Sequence, residues 1–221
     1  MMNNQSQVQS LYTNHRKLYT IFAHGTGYHR AIKKFFYQAN YLQSSMHILD
    51  AGCGTGLVTK IIYNLALYKN KKDLFFHGFD LTPTMLTPFH HWINKNNITN
   101  IRLVQADLCK PEQLPSHWHN FDMIIVSGML EYIPKKDIVY AINNLKNLLK
   151  PTGILLLFIC NRNWLTHWII YKWWKANLYL YEEIEDILHC VGFTQPSRKK
   201  FPFPYQYLNS CLHIIEAHRR L

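Results

Sequence analysis

The chain has 221 residues, of which 48% are hydrophobic and 17% are charged. This composition is typical of one folded globular domain with a full core, and it excludes an intrinsically disordered chain. The 24 Lys and Arg residues outnumber the 13 Asp and Glu residues, so the formal net charge is +11. Such an excess suits nucleic acid, an acidic membrane surface or a phosphorylated substrate, or it serves solubility alone.

The N-terminal part is predicted to be a tail followed by a helical cap. Residues 1–10, "MMNNQSQVQS", are polar and lack the apolar core of a signal peptide, which predicts a flexible tail. Residues 11–45 are aromatic and basic, and Ile32, Phe35 and Phe36 recur there at helical spacing. No linker, repeat or low-complexity segment follows, so residues 11–221 are predicted to form a single domain.

From His47 onward, strand-like and helix-like segments alternate. The predicted strands are His47–Ala51, Leu74–Asp80, Ile101–Asp107, Phe121–Gly128 and Ile154–Cys160. The predicted helices between them are Leu57–Leu67, Pro83–Asn94 and a third within Asp137–Gly153. We expect Pro88 to shorten or kink the second helix, and Pro151 with Gly153 to stop the third.

This alternation predicts an α/β fold, with a doubly wound parallel sheet and helices on both faces. The C-terminal part departs from the pattern, since "YEEIEDILHCVGF" is helical and "QYLNSCLHIIEAHRR" predicts a last strand. The longest purely apolar run, "ILLLFIC", is far shorter than the roughly 18 residues of a membrane-spanning helix.

Cysteines and histidines point to no metal or disulfide framework. The five cysteines are far apart and form no CxxC pair, which favours reduced thiols in a cytoplasmic protein. The 13 histidines include the neighbours His90 and His91, and the pair His117 and His119. Neither pair has the spacing of a helical metal site, so no catalytic metal is predicted.

Three glycines, Gly52, Gly54 and Gly56, follow the first predicted strand at once. In an open parallel sheet, ligands bind beyond the carboxyl ends of the strands, near the point where strand order reverses. Glycines there allow a tight turn and a close approach of ligand to backbone, and the following helix presents unpaired N–H groups. The sequence therefore predicts a ligand-binding loop.

Two acids close the next two predicted strands. Asp80 lies 24 residues after Gly56, where a carboxylate can accept hydrogen bonds from ribose hydroxyls, and Asp107 ends the third strand. Either acid could instead cap the helix that follows it. The dinucleotide fingerprint G-x-G-x-x-G would place its last glycine on Leu57, which argues against a nicotinamide-dependent oxidoreductase.

Together these motifs resemble the class I S-adenosylmethionine-dependent methyltransferases. "ILDAGCGTG" resembles the first motif of that family, "GFDLTPTML" the second, "QADLCK" the third and "FDMIIVSGMLEYI" the fourth. "LLKPTGILLLF" resembles the turn into the fifth strand. The resemblance implies a Rossmann-like, mostly parallel seven-stranded sheet with an antiparallel last strand. It also implies methyl transfer from S-adenosyl-L-methionine, with S-adenosyl-L-homocysteine as product.

The resemblance further implies a set of cofactor-binding residues. The methionine half of the cofactor would contact the glycine loop and its neighbours, namely Asp50, Gly52, Cys53, Gly54, Gly56 and Ser127. Asp80 would bind the ribose hydroxyls, and the adenine would contact Leu81, Asp107 and Leu108. The segment before the first strand often folds over the cofactor in this family, so Tyr19 and Tyr28 are candidates there.

The sequence indicates less about the residues that would act on the methyl acceptor. Several relatives carry a histidine after the fourth strand, where this chain has Glu131 and Tyr132. These two are the candidate catalytic residues, and Glu131 could act as a base, bind an amine or simply face solvent.

The variable segment 161–180 is expected to form a lid. Trp164, Trp168, Ile169 and Lys172 share one predicted helical face within it. The lid could pack on the sheet, line an apolar or aromatic pocket, or rest residues 164–175 on an anionic membrane.

The sequence thus favours methyl transfer to an O or N atom of a small, partly apolar or aromatic molecule. The net charge of +11 keeps a tRNA or rRNA methyltransferase as the alternative, although the N/D-P-P-[YF] motif of amine-methylating enzymes is missing. A relative that binds the cofactor without catalysis is the third possibility.

Overall fold

The computed structural model describes residues 25–166 and 176–219, without the side chain of Leu165. In this part of the chain the strands are β1 (His47–Ala51), β2 (Phe75–Asp80), β3 (Ile101–Gln105), β4 (Phe121–Ser127), β5 (Leu149–Cys160), β6 (Phe193–Lys199) and β7 (Leu212–Arg219). They form one seven-stranded sheet in the order β3-β2-β1-β4-β5-β7-β6. Strand β7 is antiparallel to both neighbours, and the other pairs are parallel. The expected mixed seven-stranded sheet is confirmed.

Helices cover both faces of the sheet. They are α1 (Tyr28–Gln38), α2 (Leu57–Tyr68), α3 (Pro83–Lys95), α4 (Ile138–Leu148) and α5 (Tyr181–Cys190). Helices α1 to α3 pack apolar side chains such as Ile32, Ile62 and Phe89 on one face. Helices α4 and α5 pack Leu145 and Ile184 on the other. Short helical turns lie at Pro111–Gln113, Leu130–Tyr132, Lys135–Asp137, Trp164–Thr166 and Gln206–Ser210.

Several predicted boundaries are wrong. Helix α3 runs through Pro88 to Lys95, so the proline does not shorten it. Strand β5 begins at Leu149, well before the predicted start at Ile154. Its pairing with β4 jumps from Phe121–Leu149 to Met123–Ile154, so the proline and glycine of the predicted helix stop lie in an irregular part of the strand.

The C-terminal part differs from the prediction in two ways. The start of the predicted last strand is the helical turn Gln206–Ser210, and β7 begins only at Leu212. Strand β6 has no alternating apolar pattern, and its pairing with β7 shifts between Thr194 and Ser197, around Pro196. A proline is tolerated there because β6 is an edge strand.

None of the helices within residues 25–166 and 176–219 combines the length and the apolar character that crossing a bilayer requires.

Strand β2 carries a histidine into the apolar core. The His77 ring lies 4.8 Å from that of Trp118 and 5.1 Å from that of Phe121, and Nδ1 is buried without a hydrogen-bond partner among the described residues. Burial lowers the pKa of His77 from 6.5 to about 4, and the nearby His47, His117 and Arg102 act in the same direction.

We expect His77 to reduce stability as the pH falls. The unfolded chain binds a proton on this ring near pH 6.5 and the folded chain only near pH 4, so the free energy of unfolding decreases between these values. At pH 5 the loss amounts to at most about 2 kcal/mol. Urea unfolding at pH 7.5 and pH 5 should show a smaller difference for His77→Phe than for the unaltered protein. His119→Gln, at an exposed histidine, should keep the full difference; equal pH dependence in all three proteins would contradict the prediction.

Candidate functional site

A cavity of about 400 Å³ lies at the carboxyl ends of β1, β2, β3 and β4, where the strand order reverses between β1 and β4. The structure brings most of the predicted site residues to its wall. These are Asp50, Gly52, Cys53, Gly54, Asp80, Leu81, Asp107, Leu108, Ser127 and Tyr132. Gly56, Tyr28 and Glu131 lie outside the wall, and Tyr19 lies outside the described residues. A crevice at this edge of the sheet is the expected ligand site of an open α/β fold.

Two of the three loop glycines leave room for other side chains of the protein, although one of them, Gly52, also lines the cavity. A Cβ atom on Gly56 would lie 2.5 Å from the Phe89 ring, and the backbone there has a φ of +79°. A Cβ atom on Gly52 would lie 2.4 Å from Cγ of Met129. The expectation that all three glycines accommodate a ligand is therefore too simple, because intramolecular packing alone requires two of them.

Gly54 is the loop glycine at which an added Cβ atom would meet no overlapping side chain. Its φ is +52°, and a Cβ atom would come no closer than 3.4 Å to Cε of Met85 and 3.9 Å to Oδ2 of Asp80. Since Gly54 also lines the cavity, a bound molecule could approach its backbone directly.

Asp80 joins the glycine loop to the end of β2. Its Oδ2 accepts the Gly54 N–H at 2.9 Å, and its Oδ1 accepts the Thr82 N–H at 2.8 Å. Burial raises the pKa of Asp80, and the two backbone N–H bonds oppose that shift. Each carboxylate oxygen has a second lone pair, so the side chain can hold the loop and still accept two ligand hydroxyls.

Asp50 is a second buried carboxylate, beneath the glycine loop. Its Oδ2 accepts the Thr59 hydroxyl of α2 at 2.6 Å. Burial raises the pKa of Asp50 to about 6; the Thr59 bond lowers it, and the charge of Asp80 raises it further. With Asp107 and Asp137, the cavity wall carries four carboxyl groups against the single ammonium group of Lys136, which favours a positively charged ligand.

The turn after β3 supplies a side wall of the cavity. Oδ1 of Asp107 accepts the Cys109 N–H at 2.9 Å, and the Asp107 N–H donates to Oε1 of Gln113 at 2.9 Å. These bonds fix the turn, and Leu108 within it is buried. A flat apolar ring could lie between Leu108 and Leu81, which lines the same cavity.

Apolar wall residues that sequence reasoning missed include Met85, Met129, Ile133 and Pro134. Met85 comes from the first helical turns after β2, and the others from the loop after β4. The only available signal is that Met85 lies within the second motif, Met129 and Ile133 lie within the fourth, and Pro134 follows it directly. A local pattern does not show which side chains of an irregular loop face a cavity.

The first residue of α1 reaches the edge of the cavity. Oη of Tyr28 lies 2.8 Å from Oγ of Ser127, which ends β4 and lines the cavity. The Tyr28 ring also packs edge-on against Phe201, with 6.1 Å between the centroids. The N-terminal segment is thus joined to the site across 99 positions of sequence.

The two candidate catalytic residues differ in position. Tyr132 lines the cavity, but Glu131 is 1% exposed, and its Oε1 accepts the Cys160 N–H at 2.8 Å. Its backbone carbonyl accepts the Asn177 N–H at 2.7 Å, and burial raises the pKa of its carboxyl group. The solvent-facing interpretation of Glu131 is therefore wrong, because this side chain connects the Leu130–Tyr132 turn to the end of β5.

Nine of the 20 residues of the predicted lid, 167–175, lie outside the described residues. Trp168, Ile169 and Lys172 lie in that part, so the predicted helical face stays a prediction. Trp164 is described, and its side chain is 82% exposed. Among the described residues, no group of three or more His, Cys, Asp or Glu side chains is arranged to hold a metal ion.

Comparison with known proteins gives a family match. The family described as "Methyltransferase domain" matches residues 42–197. The ubiquinone/menaquinone biosynthesis C-methyltransferase UbiE of Wigglesworthia glossinidia brevipalpis is 35% identical over 133 residues, which are 59% of this chain and 49% of that protein. The ubiquinone biosynthesis O-methyltransferase of Actinobacillus pleuropneumoniae serotype 7 (strain AP76) is 27% identical over 165 residues, 74% of this chain and 62% of that protein. The chain therefore spans about half to three-fifths of these relatives.

Solved structures share the fold. Magnesium protoporphyrin IX methyltransferase from Synechocystis PCC 6803, crystallised with bound SAM, superposes with a TM-score of 0.72 and 16% identity, covering 99% of this chain and 98% of that one. The [4+2]-cyclase SpnF superposes with a TM-score of 0.63 and 14% identity, covering 86% and 81%. At such identities the likeness establishes architecture alone.

Proposed function

Because this chain belongs to the class I S-adenosylmethionine-dependent methyltransferases, we propose that it transfers the methyl group of that cofactor to an O or N atom of a small, partly apolar or aromatic molecule. The main support is the cavity in which Asp80 bonds to Gly54, at the point where the strand order reverses. At this place, a carboxylate suits the hydroxyls of a ribose, and a glycine backbone leaves room for the methionine part attached to that ribose.

The cavity residues fit the chemical groups of S-adenosylmethionine. Asp80 would accept the two ribose hydroxyls, and Leu81 with Leu108 would cover the two sides of the adenine. Gly54 would let the methionine part lie against the loop, and the carboxyl groups would favour its positive sulfonium and ammonium groups. Ser127 would lie beside the methionine part.

The cofactor supplies a methyl group that its positive sulfur has already activated. The chain then has to align the acceptor atom with the methyl carbon and the sulfur, and to exclude water. An acceptor that keeps its proton at neutral pH also needs a base. Tyr132 is the candidate that lines the cavity, whereas the Glu131 carboxylate lies outside its wall and is bonded to the backbone of β5.

The nature of the acceptor is supported by two observations. Both relatives are named for ubiquinone biosynthesis, the first also for menaquinone biosynthesis, so their methyl acceptors belong to the making of small molecules. The walls beyond the proposed cofactor site include Met129, Ile133 and Pro134, which suit an apolar ring. Since one relative is named a C-methyltransferase, carbon methylation is the competing outcome of the test.

The test is methyl transfer from S-adenosylmethionine with a deuterated methyl group. Acceptors would be an alkylated catechol, an alkylated aniline and unmodified tRNA, with products analysed by mass spectrometry. Label on the catechol oxygen or aniline nitrogen supports the proposal. Label on ring carbon, label on tRNA, or cofactor binding without transfer to any acceptor of the panel would contradict it.

Tyr28→Phe is expected to weaken S-adenosylhomocysteine binding about 3- to 10-fold. The variant loses the Tyr28–Ser127 hydrogen bond but keeps the ring packing on Phe201, and one such bond contributes about 1 kcal/mol. Calorimetric titration measures the change. Tyr140→Phe, at a half-exposed ring on α4, is the matched control and should bind like the unaltered protein. An unchanged affinity in Tyr28→Phe would show that α1 does not help to hold the cofactor.

A further inference from the structure

Lys60, near the start of α2, makes contacts that neither the fold nor the proposed site explains. Its Nζ donates to the Thr55 carbonyl at 2.6 Å. The same atom lies 5.3 Å from the centre of the Phe89 ring and 5.4 Å from that of Trp92, both on α3. Among the described residues no carboxylate lies within ion-pair distance of it. The ammonium group is therefore held by one carbonyl and two aromatic rings.

This placement is unfavourable for the helix itself. A cation near a helix N-terminus opposes the helix dipole, and a partly buried ammonium loses hydration. Burial lowers the pKa of Lys60 accordingly. The charge-assisted bond to Thr55 and the two ring contacts offset this cost. A residue that is locally unfavourable, as this partly buried lysine is near a helix N-terminus, often marks a functional position.

Of the residues that Lys60 contacts, Thr55 lines the cavity, while Phe89 and Trp92 belong to α3, whose Met85 lines it. Thr55 lies between Gly54 and Gly56 in the sequence. Phe89 packs against Gly56, and its helix α3 begins at Pro83, three residues after Asp80 at the end of β2. Lys60 thus joins the loop after β1 to the helix after β2, without itself lining the cavity.

We propose that Lys60 is a positioning residue for cofactor binding, which fixes the Thr55 carbonyl and so holds the glycine loop against α3 in its binding shape. The inference rests on the cavity holding the cofactor as proposed above. Lys60 acts on the loop and not on the ligand, and the Gly54 N–H of that loop is bonded to the Asp80 carboxylate proposed to hold the ribose. Lys60 should therefore matter for any nucleoside that occupies the cavity, whether or not that nucleoside carries the amino-acid group.

The test compares S-adenosylhomocysteine with 5′-methylthioadenosine, which lacks the carboxylate and the amine. Lys60→Met keeps an apolar stem and loses the charge and the donor. By calorimetry it should weaken the binding of both ligands by a similar factor of at least about 10-fold, as expected for the loss of one charge-assisted bond. Lys60→Arg keeps the charge, a donor and the ring contacts, and should stay within about 3-fold of the unaltered protein.

Lys69 offers a matched control at the other end of α2. Its Nζ donates to the Tyr37 carbonyl at 2.7 Å and lies 5.3 Å from the centre of the Tyr37 ring, away from the cavity. Lys69→Met should leave both affinities unchanged. Trp92→Leu removes one of the two rings and should weaken both ligands to a smaller extent, which keeps the inference testable if Lys60→Met does not fold.

The outcomes separate the two proposals. Failure of the unaltered protein to bind either ligand would overturn the proposed cofactor site. Normal binding of both ligands to Lys60→Met would overturn the positioning role alone. Weakening of S-adenosylhomocysteine but not of 5′-methylthioadenosine would also overturn it, because the lysine would then act through the ligand's carboxylate.

Discussion

Asp80→Ala is expected to weaken S-adenosylhomocysteine binding at least about 100-fold. The variant loses two charge-assisted hydrogen bonds to the ribose, each worth about 1.5–3 kcal/mol. It also removes the acceptor of the Gly54 and Thr82 N–H groups, so the glycine loop loses its link to the end of β2. Isothermal titration calorimetry with S-adenosylhomocysteine measures the change directly and needs no knowledge of the methyl acceptor.

Asp186→Ala provides the control for this experiment. Asp186 is exposed on α5, which packs on the face of the sheet opposite to α2 and α3. Both substitutions replace an aspartate with an alanine, but Asp186 lies away from the cavity. The Asp186→Ala protein should therefore bind S-adenosylhomocysteine as tightly as the unaltered protein. If a folded Asp80→Ala protein bound the ligand within about 3-fold of normal, the ribose would lie elsewhere and the cofactor site would have to be reassigned.

The central part of the fold could be predicted because its determinants are local. Strand β1 has the predicted bounds, and α2 and β4 differ from prediction by a single residue. Strands β1 and β4 end directly before Gly52 and Gly128, which have a positive φ, and α2 begins directly after Gly56, which also has one. The wall formed by the glycine loop and Asp80 follows from the same local rule, since parallel strands bring their carboxyl ends to one edge.

The parts that escaped prediction depend on contacts between distant residues. The early start of β5 follows from an irregular pairing with β4, and β6 is defined by its partner β7 more than by its own residues. The neighbours Glu131 and Tyr132 both carry a hydrogen-bonding side chain that could face a ligand, yet one is buried against β5 and the other lines the cavity. Only the three-dimensional arrangement of the loop after β4 separates their positions.

Gly56→Ala is expected to be strongly destabilising, because it breaks two requirements at once. The φ of +79° costs an alanine about 1–2 kcal/mol. The new Cβ would also lie 2.5 Å from the ring of Phe89, a fully buried residue that cannot move into solvent. Overpacking of this kind costs about 1–3 kcal/mol more. Together the free energy of unfolding should fall by about 2–5 kcal/mol, as measured by urea denaturation without ligand.

Gly128→Ala separates the two causes. Gly128 has a similar φ of +64°, but no atom lies within 4 Å of the Cβ position. Its alanine variant should therefore lose only the backbone part, about 1–2 kcal/mol. The additional decrease in the free energy of unfolding in Gly56→Ala then measures the contact with Phe89. Equal decreases in both variants would mean that α3 moves aside at no energetic cost. Since α3 begins at Pro83, three residues after Asp80 at the end of β2, an additional decrease would mean that the same packing contact helps to hold the glycine loop and the helix that follows the carboxylate.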